Sequence, residues 1–277
     1  MGWVILSALS GISSSLFNYV NRYVLKTNGD STSFSWWFEV LRTFIFLLVL
    51  PFDSFFIWSY QTFFLLILLG LVEFFSVYFY MKMHSFSELS ISTIVLRLRI
   101  VWVPILAFFL IGEKLGIKEY LGILIIFMGL SFVTSPRKFF IDKGIKLALL
   151  CSVITAFLST VIKAVSPFAS ASIIAIAMGI PSIFLFPIFA RNWKSRIRNY
   201  YSKSIKGVSF AIFFNAFAMY LQVSALKLGP AGKVIAIFQA MSIVSVFMGI
   251  FLLDEKKDMG KKILGSLVVL LGTFLLI

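Results

Sequence analysis

Two stretches of this chain, 142 residues apart, are versions of one another, and a chain built twice from one unit has few ways to fold. The first reads Phe109-Leu110-Ile111-Gly112-Glu113-Lys114, followed by Leu121-Gly122 and Gly129; the second reads Phe251-Leu252-Leu253-Asp254-Glu255-Lys256, followed by Leu264-Gly265 and Gly272. The same offset sets Glu73 against Asn215, Tyr78 against Tyr220, Tyr80 against Gln222 and Arg97 against Gln239. One residue less, further upstream, sets Gly11 against Ser152, Ser14 against Thr155, Asn18 against Ser159 and Arg22 against Lys163. Apolar periodicity alone does not align polar residues inside apolar runs, and a drift of one residue is what a loop insertion leaves. The chain therefore holds an internal repeat.

The unit belongs in lipid. The chain is 60% hydrophobic and 13% charged, with mean hydropathy +1.02, against about 45–50% and 25% in soluble domains. Apolar runs near the ~20 residues that cross a bilayer fall at about 3–25, 33–51, 62–82, 88–111, 117–134, 144–163, 170–190, 205–226, 230–252 and 260–277. Strands are excluded over such runs, because lipid offers no partner to an open sheet edge. Ten runs make five per unit, and an odd number forces the second unit to enter from the opposite face. The expected fold is an all-α integral membrane protein of ten transmembrane helices in two inverted five-helix repeats, 1–138 and 139–277. Such folds hold substrate near the membrane midplane, between the repeats.

Several function classes drop out. Cys151 is the single cysteine and His84 the single histidine, so the sequence offers no disulfide framework, metal cluster or Ser-His-Asp triad. No catalytic residue, metal or cofactor is implied, and the chain is not expected to be an enzyme. The first helix lacks the charged start and cleavage site of a removable signal peptide. The net charge of +14 is scattered over short turns, unlike the folded basic face that nucleic acid requires.

Those turns orient the chain. Seventeen of the 25 lysines and arginines lie on one side of the spans, from Arg22 and Lys26 to Lys261 and Lys262; five, Lys114, Lys118, Lys163, Lys227 and Lys233, lie on the other. The positive-inside rule puts the first set in the cytoplasm and both termini outside. The densest basic turn, Arg191-Asn192-Trp193-Lys194-Ser195-Arg196-Ile197-Arg198, reads as a topology anchor on anionic headgroups, with substrate recruitment as the alternative.

Chemistry should sit on groups that are costly to keep in lipid. Glu39, Arg42, Glu73, Arg97 and Arg99 fall at depth, where one charge costs at least about 2.5–3.5 kcal/mol. Glu39 and Arg42, three apart on one helix face, can pair; either an ion pair or a coupling role suits them and Glu73. Glu73 and Tyr80 share a face seven residues apart, repeated by Asn215 and Gln222, which reads as cavity lining. Arg97 shares its face with Ser90 and Thr93 and has the polar counterpart Gln239, so it is the expected cavity arginine, with Arg99 a packing or interface partner. Asn18 joins the lining set, since packing alone rarely satisfies a buried amide. The guanidinium fork matches a carboxylate or phosphate.

The repeated apolar run, Gly/Asp-Glu-Lys stop, charged turn and Leu-Gly with a second glycine resembles the EamA-type unit of the drug/metabolite transporter superfamily. Arg42 in the second helix and Tyr78-Phe79-Tyr80 leading into the turn after the third extend the likeness over the whole chain. The resemblance implies a ten-helix inverted-repeat carrier of small metabolites, often an exporter, in the plasma membrane. Two departures stand out: members usually carry a proline in the fourth and ninth helices near the positions of Ile100 and Ser242 here, and they commonly have cytoplasmic termini. The expected partners are a small-molecule substrate such as an amino acid or other organic acid, membrane lipid, and a proton or counter-substrate for coupling. The duplication already supplies two halves around a cavity, so a monomer is expected. The alternative is a flippase of the same fold for lipids or lipid-linked sugars.

Overall fold

The computed structural model of the protein describes residues 1–28, 30–84, 95–134, 143–189, 192–244, 247 and 259–277. Its α-helices are α1 (Gly2–Asn28), α2 (Ser31–Val49), α3 (Tyr60–His84), α4 (Arg99–Ile111), α5 (Ile117–Thr134), α6 (Lys143–Val165), α7 (Ala171–Phe189), α8 (Trp193–Leu228), α9 (Ala231–Ala240) and α10 (Met259–Leu276). Each expected span thus contains one helix. Among the described residues, five, at Thr32–Phe52, Tyr60–Tyr80, Ile145–Val165, Ala171–Ile188 and Val208–Leu228, are long and apolar enough to cross a membrane. Among the described residues there is no strand, only a single antiparallel bridge between Phe56 and Ala169.

The packing repeats with the sequence. α1 packs on α8 as α6 packs on α3; α4 packs on α6 as α9 packs on α1; α3 packs on α7 as α8 packs on α2. The other principal pairs, α5 with α10, α2 with α7 and α4 with α9, join a helix to its own counterpart. Exchanging α1–α5 with α6–α10 therefore maps the arrangement onto itself, as an approximate twofold axis requires.

The duplicated glycines show which way the halves run. A Cβ on Gly122 would lie 2.9 Å from the Gly272 carbonyl oxygen, and one on Gly129 would lie 2.9 Å from that of Gly265. The early glycine of α5 thus meets the late glycine of α10, and the reverse, so these counterparts are antiparallel and the repeats are inverted. Missing side chains let the two backbones touch, the close approach that drives helix association in lipid.

Backbone and side-chain bonds gather the turns at two ends. At one, Ile57 N–H donates to Phe168 O at 2.7 Å and Ser170 N–H to Phe55 O at 2.8 Å. Asp53 Oδ2 accepts from the Ser172 N–H at 3.1 Å and its hydroxyl at 3.0 Å, satisfying orphan donors at the start of α7. There too Lys163 Nζ donates to the carbonyls of Leu226, at 2.6 Å, and Gly229, at 2.8 Å, closing the α8–α9 turn. Burial pushes the nearby Glu113 carboxyl above its ordinary range despite the opposing charge of Lys163. At the other end Asp30 caps α2 through Ser33 and takes both Arg196 Nε, at 2.9 Å, and Nη2, at 2.6 Å.

Candidate functional site

Two helices fail to run through. The fourth expected span is helical at Val95 and Leu96, turns at Arg97 and Leu98, and resumes as α4 at Arg99. In the ninth, α9 stops at Ala240, turns at Met241 and Ser242, and becomes helical again at Ile243. The expected unbroken spans 88–111 and 230–252 are corrected to this extent. Neither break holds a proline or glycine. Both turns tighten to bonds three residues apart: Ile100 N–H to Arg97 O at 3.0 Å, and Ser242 N–H to Gln239 O at 3.0 Å.

Neighbouring helices explain how the ninth break is tolerated. In lipid a released carbonyl must find a donor within the protein. Ser15 Oγ of α1 lies 3.1 Å from Met241 O and 3.0 Å from Gly11 O, and Gly11 lets α1 approach so closely that an added Cβ would meet the Phe238 carbonyl. Ser10 and Ser13 bind α1 to the Ala218 and Phe214 carbonyls of α8, at 2.6 and 2.8 Å. The serine stripe of α1 is thus a set of carbonyl donors.

Next to the fourth-helix break lies a buried charge cluster. Arg42 Nη2 donates to Glu39 Oε2 at 2.6 Å on its own helix and to Glu73 Oε1 at 3.0 Å on α3. All three are buried, Glu39 completely. The Phe38 ring centroid lies 5.1 Å from the guanidinium carbon, adding a cation–π contact. Arg99 Nη2 donates to Ser159 Oγ on α6 at 2.6 Å, and its charge acts on Glu73. Arg97 turns the other way: Nη1 donates to the Leu130 carbonyl on α5 at 2.6 Å. The Arg99 bond thus reaches the opposite half, whereas the Arg97 bond to Leu130 lies within its own.

The remaining candidates whose side chains are described lie on α3, α8 and α9. Asn215 and Gln222 are half-buried on α8, with Asn215 Oδ1 and Gln222 Nε2 buried and lacking partners among the described residues. Gln239 is half-buried beside the ninth-helix break. Tyr80 is more exposed, at 36%. The side chains of Asn18 and Arg22, like Ser90, Thr93 and Asp254 to Lys257, lie outside the described residues. A small cavity lined by Trp36, Trp193 and Arg196 sits at the Asp30 end, away from the buried charges. Sequence reasoning missed the reach of Arg42 to Glu73 and of Arg99 to Ser159, because both cross between helices.

The EamA-like transporter family matches the sequence over residues 1–135 and 142–277. No curated protein matches it. A protein solved by crystallography superposes on 97% of this chain and 95% of its own with a TM-score of 0.75, at 15% identity, a likeness of fold.

Proposed function

The chain belongs to the EamA-like transporter family, and on that premise we propose that it is a secondary transporter that exports small metabolites such as amino acids or other organic acids. The proposed repeats, 1–138 and 139–277, alternate access to a polar region between them. The observation that carries this reading is the pair of helix interruptions, at Arg97–Leu98 and Met241–Ser242, at nearly corresponding places in inverted halves. Interrupted helices in matching positions are the best pointer to a transporter's binding site. Arg97 lies in the first, and its polar counterpart Gln239 lies two residues before the second.

The proposed site combines Glu73, Arg97 and Arg99 from the first half with Asn215, Gln222 and Gln239 from the second, Asn18 and Tyr80 completing its lining. Arg99 is favoured as the anion clamp, because its guanidinium already contacts the opposite half through Ser159 and its Nε has no partner among the described residues. A guanidinium holds a carboxylate by two parallel bonds. The protein sits in the plasma membrane as a monomer, with both termini outside by the lysine and arginine asymmetry.

Thermal unfolding of the purified protein against amino acids, organic acids, nucleotide sugars and polyamines tests this. A ligand at 100 times its dissociation constant stabilises by about 2.7 kcal/mol. Stabilisation by one acidic class, lost in Arg99→Gln or Arg97→Gln, is the expected result. Stabilisation only by anionic or polyprenyl lipids would replace it with the flippase reading.

A further inference from the structure

Arg42 gives one positive charge to two carboxylates, and they are not equally supplied. Glu73 shares Nη2 of Arg42 at 3.0 Å and also feels the charge of Arg99. Glu39 has only its contact through Oε2, at 2.6 Å; its other oxygen, Oε1, is buried without a partner among the described residues. One turn on, Thr43 Oγ1 is likewise buried and unpartnered. Both residues face Gly179 of α7, where an added Cβ would collide with Thr43 Oγ1 and lie 3.5 Å from Glu39 Oε2. The described part of α7 holds no charged side chain, and the charged residues of α8 whose side chains are described, from Lys194 to Arg198 and Lys227, sit at its ends. Among the described residues, Arg42 and Glu73 are therefore the charged groups that face Glu39.

We propose that Glu39 is a proton-binding site, taking a proton on Oε1, and that this proton is exchanged in the transport cycle. Ionised, Glu39 holds a buried carboxylate oxygen that lacks a donor among the described residues, and a charge in a dry setting is costly unless it is paired and hydrogen-bonded. Protonation forms an O–H bond at Oε1 with a proton given up by hydronium, which leaves as water. Oε2 continues to accept from Arg42, and the buried charge on Glu39 is removed. The coupling role rests on the transporter reading; proton binding does not.

Infrared difference spectra of the full-length protein in liposomes, recorded between acid and alkaline pH, test it. The expected result is the carbonyl stretch of a protonated carboxyl in an apolar setting that appears on acidification, is absent in Glu39→Gln and persists in Glu73→Gln. A wild-type protein without the band, a band that survives Glu39→Gln, or one lost in Glu73→Gln overturns the proposal. The ligand screen is independent: a titrating band with no stabilising organic acid keeps the proton site and removes the substrate class.

Discussion

Replacing Arg42 by methionine should destabilise the protein far more than replacing any surface arginine. Arg42 is the shared partner of Glu39, at 2.6 Å, and Glu73, at 3.0 Å, with side-chain exposures of 5%, 0% and 8%. Removing it leaves two buried carboxylates without their common cation, and breaking a buried pair from one side costs about 3–5 kcal/mol. Replacing the whole group, as Glu39→Gln/Arg42→Met/Glu73→Gln, removes the desolvation cost with the attraction and should lie close to wild type. Arg196 serves as the control: its bond to Asp30 is also 2.6 Å, but the side chains are 38% and 25% exposed, so Arg196→Gln should cost at most about 1 kcal/mol. Reversible unfolding in mixed micelles measures all three. An Arg42→Met protein within about 1 kcal/mol of wild type, or a triple variant as weak as the single one, would refute the view that these charges hold α2 and α3 together.

Three further outcomes follow from other contacts. Gly129→Val should lower stability by about 1–3 kcal/mol, the range for overpacking, because even a Cβ there would lie 2.9 Å from both Gly265 O and Val269 N; unchanged unfolding would mean that α5 and α10 are not in contact. Asp53→Ala should cost about 1 kcal/mol by uncapping α7, read in the same assay. For Asp30, burial raises the carboxyl pKa, but its bonds to Arg196 and Ser33 outweigh that and hold it below the ordinary value of 3.8. The α2–α8 clasp is then fully present above that value and weakens as pH falls through the lower folded value, a dependence of at most about 1 kcal/mol that Asp30→Asn should abolish.

The helices and their duplication are legible in the sequence because lipid permits little else: an apolar run of spanning length has to be helical, and an odd number of runs has to invert. The Gly122, Gly129, Gly265 and Gly272 pattern already marks the matched pair that makes the antiparallel contact. The breaks are not legible. Arg97-Leu98 and Met241-Ser242 contain no helix breaker, and the ninth is supported from a distant helix, through Gly11 and Ser15. The i,i+3 spacing of Glu39 and Arg42 suggests their contact, but nothing local says that the same nitrogen also reaches Glu73, 31 residues on. For a related reason periodicity alone does not choose between Arg97 and Arg99: the helix turns between them, so counting along an ideal helix no longer says which way each side chain points.

Uptake of a labelled, water-soluble organic acid into proteoliposomes, chosen from the stabilising compounds, tests the transporter reading most directly. Saturable uptake, abolished in Arg99→Gln while the protein stays folded, is the result expected of a carrier with its site between the inverted halves. Uptake that rises linearly with concentration, or is unchanged in Arg99→Gln while labelled lipids cross the bilayer instead, would contradict it.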